Sequence, residues 1–374
     1  MPRKETTGDE SIAPFGEKTR RRLIARYFES NGIPDVEQAW LRVYGLLLWI
    51  DSSTGLAHCY ESDKCQPGKP WYARSLAFHR WLASSLGTNE IKLKESLDWL
   101  FHNALEAYLA QVAKVRDKQQ AKGDAQRNAY AGTLFPLPGV EPELERILIE
   151  GLKPYFASIP PPEVIEQLTR RLRDYWKQEN KRKNLLGEGF EDVLSAVIAA
   201  VHPGLKVRAR ASVADIAGFY APGAKDKATK VDLVVEHPKW SRPTLINVKW
   251  SIRADREDQL WDDFQEYVRF DRDGRGFDHY ILTNEFDPAR LNALCERRQA
   301  NSHVFKQVVH MSTHGVLAAY GLSSTRAIFN KAEKGNNSFQ KVLQQIQTGR
   351  LVSLAEWLKN LNQPVDTGRA KRVR

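Results

Sequence analysis

Residues 230–263 read KVDLVVEHPKWSRPTLINVKWSIRADREDQLWDD. Val231, Leu233 and Val235 alternate with Asp232 and Val234, and the run HPKWSRP breaks the pattern. That is a short strand followed by a turn. Thr244 to Trp250 carries Leu245, Ile246 and Val248 as apolar members of a second strand, and the pair forms a hairpin. Side chains two apart on a strand share a face, which sets Asn247 beside Lys249. With Asp232 on that face, a carboxylate and an ammonium meet. Mg²⁺ takes one or two protein carboxylates plus waters and phosphate oxygens. Such a cation polarises a phosphate and activates water. A neighbouring lysine stabilises the developing charge or positions the water. This is chemistry for hydrolysing a phosphodiester.

An upstream segment offers a further carboxylate. Residues 184–201, NLLGEGFEDVLSAVIAAV, read as a helix with Phe190, Val193, Leu194 and Val197 on one stripe. Glu191 borders that stripe and can look into a cleft; Glu188, one turn earlier, is the reserve. Both acids also suit a solvated helix start, where the dipole favours negative charge.

Arg253-Ala254-Asp255-Arg256 follows the second strand. A guanidinium fork matches guanine O6 and N7 in the major groove, and a carboxylate accepts from cytosine N4. Arg253, Asp255 and Arg256 therefore suit reading a C·G-rich step, and a twofold dimer would present the set twice, matching a palindrome. The same three residues also suit a salt-bridged helix start.

In this order, Glu191, Asp232 and Asn247-Val248-Lys249 resemble the PD-(D/E)XK nuclease superfamily. Asn247 stands where the family has its second acid. The combination with the RADR element resembles, more narrowly, the type II restriction endonucleases that recognise CCGG cores. Those enzymes usually carry Ser or Thr in that slot and take the missing carboxylate from the following helix, thirteen or fourteen residues after the lysine. Here those positions are Asp262 and Asp263. Leu260, Trp261, Phe264, Tyr267 and Val268 define the helix's apolar face at about 100° per residue. Asp263 lies at its edge, with Asp262 and Glu266 nearly opposite, so Asp263 is chosen and the other two are held in reserve. The resemblance covers residues 184–270. It implies catalytic Glu191, Asp232, Lys249 and Asp263, with Mg²⁺ on Asp232 and Asp263. It also implies a homodimer or higher homo-oligomer cutting double-stranded DNA at a palindrome with a CCGG core and leaving 5′ CCGG overhangs, within a restriction-modification system.

Composition agrees with a DNA partner. The chain has 374 residues and a formal net charge of +10, and non-specific DNA affinity comes largely from phosphate neutralisation by Lys and Arg. Basic runs occur at Arg20-Arg21-Arg22, Arg170-Arg171, Lys181-Arg182-Lys183 and in the tail from Arg369 to Arg374. The length fits one large or two ordinary domains. Residues 1–160 read as a mainly α-helical N-terminal domain for accessory DNA binding or assembly. The segment from about Arg116 to Gly139, polar and then rich in Pro and Gly, reads as a loop. Residues 161–374 read as an α/β endonuclease domain, a central mixed β-sheet flanked by helices in the restriction-endonuclease-like manner. Its strands are expected near 205–211, 230–236, 244–250, 278–283 and 306–311.

Several functions are excluded or disfavoured. LRVYGLLLWI is too short to span a bilayer, so no membrane partner is expected. No signal peptide precedes it. Three cysteines fit a reducing cytoplasm, and the resemblance implies a prokaryotic one. His58-Cys59 and Cys65 have no second pair at a zinc spacing, and His310 and His314 read as structural. No GxxxxGK loop occurs, so no nucleotide cofactor is expected. Two alternatives stay open: a sequence-specific DNA-binding protein with a degenerate nuclease fold, supported by Asn247, and a repair or structure-specific nuclease.

Overall fold

The computed structural model describes residues 13–50, 65–134, 141–155, 158, 160–220, 229–252, 257–322 and 337–361. Its helices are α1 (Glu17–Asn31), α2 (Ala39–Leu47), α3 (Pro70–Ser85), α4 (Trp99–Tyr130), α5 (Pro142–Leu152), α6 (Pro162–Val201), α7 (Glu257–Phe270), α8 (Pro288–Glu296), α9 (Thr313–Ala319), α10 (Asn337–Gln347) and α11 (Leu354–Leu361). Its strands are β1 (Lys206–Ser212), β2 (Lys230–Glu236), β3 (Thr244–Lys249), β4 (Asp278–Thr283), β5 (Arg298–Gln299), β6 (Ser302–His303), β7 (Gln307–His310) and β8 (Leu351–Ser353). Six of these form one mixed sheet in the order β1-β2-β3-β4-β7-β8, and β5 pairs β6 separately. The β1/β2 and β2/β3 pairs are antiparallel, and the remaining three pairs of the main sheet are parallel. The fold is a mixed central sheet flanked by helices, as expected. The five expected strands fall within one residue of β1, β2, β3, β4 and β7.

Strand composition follows from burial on both faces. Leu233, Val234, Val235, Leu245, Ile246, Ile281, Leu282, Val308 and Val309 are all fully buried, so the central strands read as continuous apolar runs. One face packs Val234 and Leu245 against Tyr267 and Phe270 of α7. The opposite side brings Phe190 of α6 edge-on to Trp250, with ring centroids 5.0 Å apart.

The chain forms two compact units, one of residues 1–19 and 103–185, the other of residues 20–102 and 186–374. This division differs from a boundary at residue 160. The reason is packing: Tyr44 of α2 donates to Asn284 at 2.7 Å in the core, and Phe78 of α3 meets Phe286 at 4.9 Å. These early helices therefore share the sheet's core. The other unit is helical, with ion pairs such as Arg127–Glu166 at 2.7 Å and Arg173–Glu141 at 3.2 Å. The loop expected from about Arg116 is instead helical as far as Tyr130, as part of α4. Its Lys, Gln, Ala and Arg residues are strong helix formers, and propensity wins over the missing apolar stripe. Likewise, the helix expected over 184–201 is the last part of the 40-residue α6. Among the described residues, no helix is long and apolar enough to cross a membrane.

Candidate active site

The site forms where the sheet's pairing gives way. Backbone pairing of β2 to β3 ends at Leu233–Ile246. One residue further, the register would set Asp232 against Asn247. There the Asp232 carboxylate takes over, with Oδ2 accepting from the Val248 N–H at 2.8 Å and from Lys249 Nζ at 2.8 Å. On the other side of β2, the ladder pairs Ala209 with Leu233 and Ala211 with Val231 but omits Arg210 opposite Asp232. Arg210 has φ +51°, a left-handed conformation uncommon for a residue with a side chain and costly unless its surroundings enforce it.

Carboxylates converge on Asp232 from helices on both sides of the sheet. Glu191 of α6 accepts from Arg210 Nη1 at 2.8 Å. Burial raises its pKa to about 7, aided by the Asp232 charge. Asp263 of α7 lies with Oδ2 at 3.4 Å from the Asn247 amide nitrogen. Burial raises its pKa to about 6; Lys249 opposes the rise, while Asp232 and Glu266 add to it. The structure thus brings together Glu191, Asp232, Asn247, Lys249 and Asp263.

The reserve acids are sorted by the same geometry. Asp262 is exposed. Glu188 is largely exposed and pairs with Arg20 at 2.7 Å. Glu266 does not lie opposite the packed face: it accepts a hydrogen bond from Thr229 and its charge is felt at Asp263. The expected apolar face was rotated too far, because Val268 is exposed while Leu260, Tyr267 and Phe270 are buried. Arg253, Asp255 and Arg256 lie outside the described residues, as do His58 and Cys59. Cys65 is buried. His310 is fully buried, with Nδ1 against Ser312, and burial lowers its pKa to about 4; His314 is exposed.

Four site residues were not anticipated. Arg210 anchors Glu191 and also donates to Asp192 at 2.5 Å, and Asp192 accepts from Arg20 Nε at 2.6 Å. A buried acid between two arginines fixes this end of α6. The available signal was an arginine inside the short strand KVRARAS. His279 lies with Nε2 at 2.7 Å from Asn247 Oδ1, and burial lowers its pKa to about 3. The Tyr267 hydroxyl is fully buried beside Asn247. His279 and Tyr267 sit in runs that read simply as core.

The donor set fits a hard divalent cation in part. Asp232 directs both of the bonds above to Oδ2, leaving Oδ1 clear of them, and Asp263 offers a second carboxylate. Two buried acids with raised pKa values around a third are like charges that a cation would relieve. Among the described residues, however, no three His, Cys, Asp or Glu side chains group closely enough to hold a metal ion.

Comparison with known proteins is sparse. No family model and no curated protein matches the chain. Among solved structures, it is similar to metal-depleted Ecl18kI in complex with uncleaved, modified DNA, at 14% identity over 96% of this chain and 88% of that one, with a TM-score of 0.28. It is similar also to metal-depleted Ecl18kI in complex with uncleaved DNA, at 13% identity over 94% and 93%, with a TM-score of 0.30. Ecl18kI is a type II restriction endonuclease. A likeness this distant assigns no residue a role, and the roles below rest on side-chain geometry.

Proposed function

We propose that the protein is a type II site-specific deoxyribonuclease that hydrolyses double-stranded DNA with Mg²⁺. The observation that carries this reading is the Asp232–Lys249 pair at 2.8 Å, set between Glu191 and Asp263 at the break in the sheet. Asp232 and Asp263 would hold the cation, which supplies Lewis-acid polarisation and an activated water. Lys249 lies beside Asp232, where its ammonium would meet the phosphate oxygens. Arg210 and Asp192 keep Glu191 aimed at the same point. Burial favours a proton on Asp263, and a cation bound there would displace it.

Specificity is proposed from Arg253, Asp255 and Arg256, which would read a palindrome with a CCGG core in a homodimer or higher homo-oligomer and leave 5′ CCGG overhangs. The net charge of +10 favours the polyanion. The test is digestion of plasmid DNA with the protein and Mg²⁺, followed by sequencing of the ends. CCGG at every end supports the full reading. Defined ends without CCGG leave a nuclease of other specificity. Intact DNA with site-specific binding favours the second reading, a degenerate DNA-binding protein, for which Asn247 in place of an acid is the supporting observation.

A further inference from the structure

Asn247 lies at the centre of this site, between Asp263 and His279, and its surroundings dictate which end of its amide faces the carboxylates. His279 has Nδ1 at 3.1 Å from the Val304 carbonyl oxygen and Nε2 at 2.7 Å from Asn247 Oδ1. As the amide stands, both ring nitrogens face oxygen. The ring is sealed among Phe264, Tyr267, Phe277 and Phe305, and neither nitrogen faces a carboxylate. An imidazole so buried is neutral and has one N–H. A backbone carbonyl can only accept, so that N–H belongs on Nδ1. Nε2 is then a bare acceptor, and an oxygen at 2.7 Å from it is repelled.

Turning the Asn247 amide by half a revolution removes the conflict. Nδ2 then donates to His279 Nε2, and Oδ1 takes the place now held by Nδ2, near Asp263 Oδ2. A second observation points the same way. The Tyr267 hydroxyl is buried beside the Asn247 amide and makes no well-formed hydrogen bond with it as the amide stands; a turned amide offers the hydroxyl an oxygen acceptor. An oxygen beside an ionised carboxylate is unfavourable by itself. It becomes favourable when one cation sits between the two. Hard divalent cations bind oxygen ligands, and the carbonyl oxygen of an Asn amide is among those they accept.

We infer that the Asn247 carbonyl oxygen is a third, uncharged ligand of the cation site formed with Asp232 and Asp263, held in that orientation by the Nδ1–H tautomer of His279. This rests on the proposed metal-dependent nuclease and adds a donor to its site. It also accounts for a site that gathers no three acidic, His or Cys ligands: its third donor is an amide. His279 is a positioning residue that never touches the cation.

Two measurements on the full-length protein test this. The first is a long-range ¹H–¹⁵N spectrum of histidine-labelled wild type, with the His279 signals assigned by their loss in His279→Gln. A protonated Nδ1 with a bare Nε2 is expected. A proton on Nε2 overturns the inference, whatever any variant does. The second is Mn²⁺ affinity without DNA, by calorimetry, for folded Asn247→Ala and Asn247→Asp. Asn247→Ala is expected to weaken Mn²⁺ binding at least tenfold, and Asn247→Asp to bind at least as tightly as wild type. Unchanged affinity in Asn247→Ala, with loss in Asp232→Ala, refutes the amide ligand and leaves the nuclease reading intact. Unchanged affinity in both refutes the amide ligand and the metal site together.

Discussion

Glu191 and Asp263 flank Asp232 from opposite sides of the sheet, and they are neutralised differently. Both are largely buried, and burial raises their pKa values to about 7 and about 6. Glu191 has a cation supplied by the fold, since Arg210 reaches it at 2.8 Å and is itself tied to Asp192. Asp263 touches an amide at 3.4 Å and feels Lys249 only through its field. A carboxylate with a permanent guanidinium partner is an anchor. A carboxylate left short of positive charge is where a mobile cation gains most. On the proposed reading a metal would therefore sit on the Asp232–Asp263 side, with the Arg210–Asp192 side holding the geometry.

The largest effect expected from this contrast is at Asp263. Asp263→Ala should lower single-turnover cleavage on the order of 10²–10³-fold or more, the scale of losing one electrostatic group at the reacting centre, while exposed Asp262→Ala should cut normally. Loss in Asp262→Ala alone would move the ligand by one residue, and loss only in Glu266→Ala would move it one turn.

Base reading should come next in size. Asp255→Ala or Arg253→Ala should cost roughly 5- to 150-fold in discrimination per lost contact, taking about 1–3 kcal/mol for a bidentate pair. Binding to a CCGG duplex and a scrambled duplex at two salt concentrations measures this. Equal losses on both duplexes, with a lower salt slope, would make these residues phosphate contacts.

Arg210→Ala should cost less, about 10–100-fold, the usual range for a group that orients a ligand without being one. It also removes the guanidinium that lowers the Glu191 pKa, so that pKa rises further and the pH–rate profile shifts toward alkaline pH. An unchanged profile would show that Arg210 does not tune Glu191.

The smallest effect is on stability. The two folded pKa values stand above the reference values of 4.5 and 3.8, so the folded chain binds these protons more tightly than the unfolded one. The stability these two protons contribute is complete below about pH 4 and is lost as pH rises toward about 7. Denaturant titrations between pH 4 and 8 measure it. Saturating Mg²⁺ should flatten the slope, because a bound cation favours the ionised acids.

Much of this site was legible because it is local in sequence. Asp232, Asn247 and Lys249 lie on one hairpin whose apolar alternation and turn are plain, and strand parity alone sets Asn247 beside Lys249. Asp263 was reached only through the resemblance, whose spacing offered Asp262 and Asp263 alike. The N-terminal helices were misassigned because nothing local in α2 or α3 shows that Tyr44 bonds Asn284, 240 residues away. Strand β8 has three residues, too few for alternation to show. Arg210, Asp192 and His279 escaped notice because their roles come from tertiary pairing: an arginine in a short strand or a histidine in an apolar run gives no periodic signal.

The central claim is that Asp232 and Lys249 act on the metal and the phosphate, not on the bases. Single-turnover cleavage and gel shifts of Asp232→Ala and Lys249→Ala, side by side with wild type on one DNA site, test it directly. Cleavage abolished in both, with site-specific binding retained, is the predicted result. Near-normal cleavage by either variant would contradict the account.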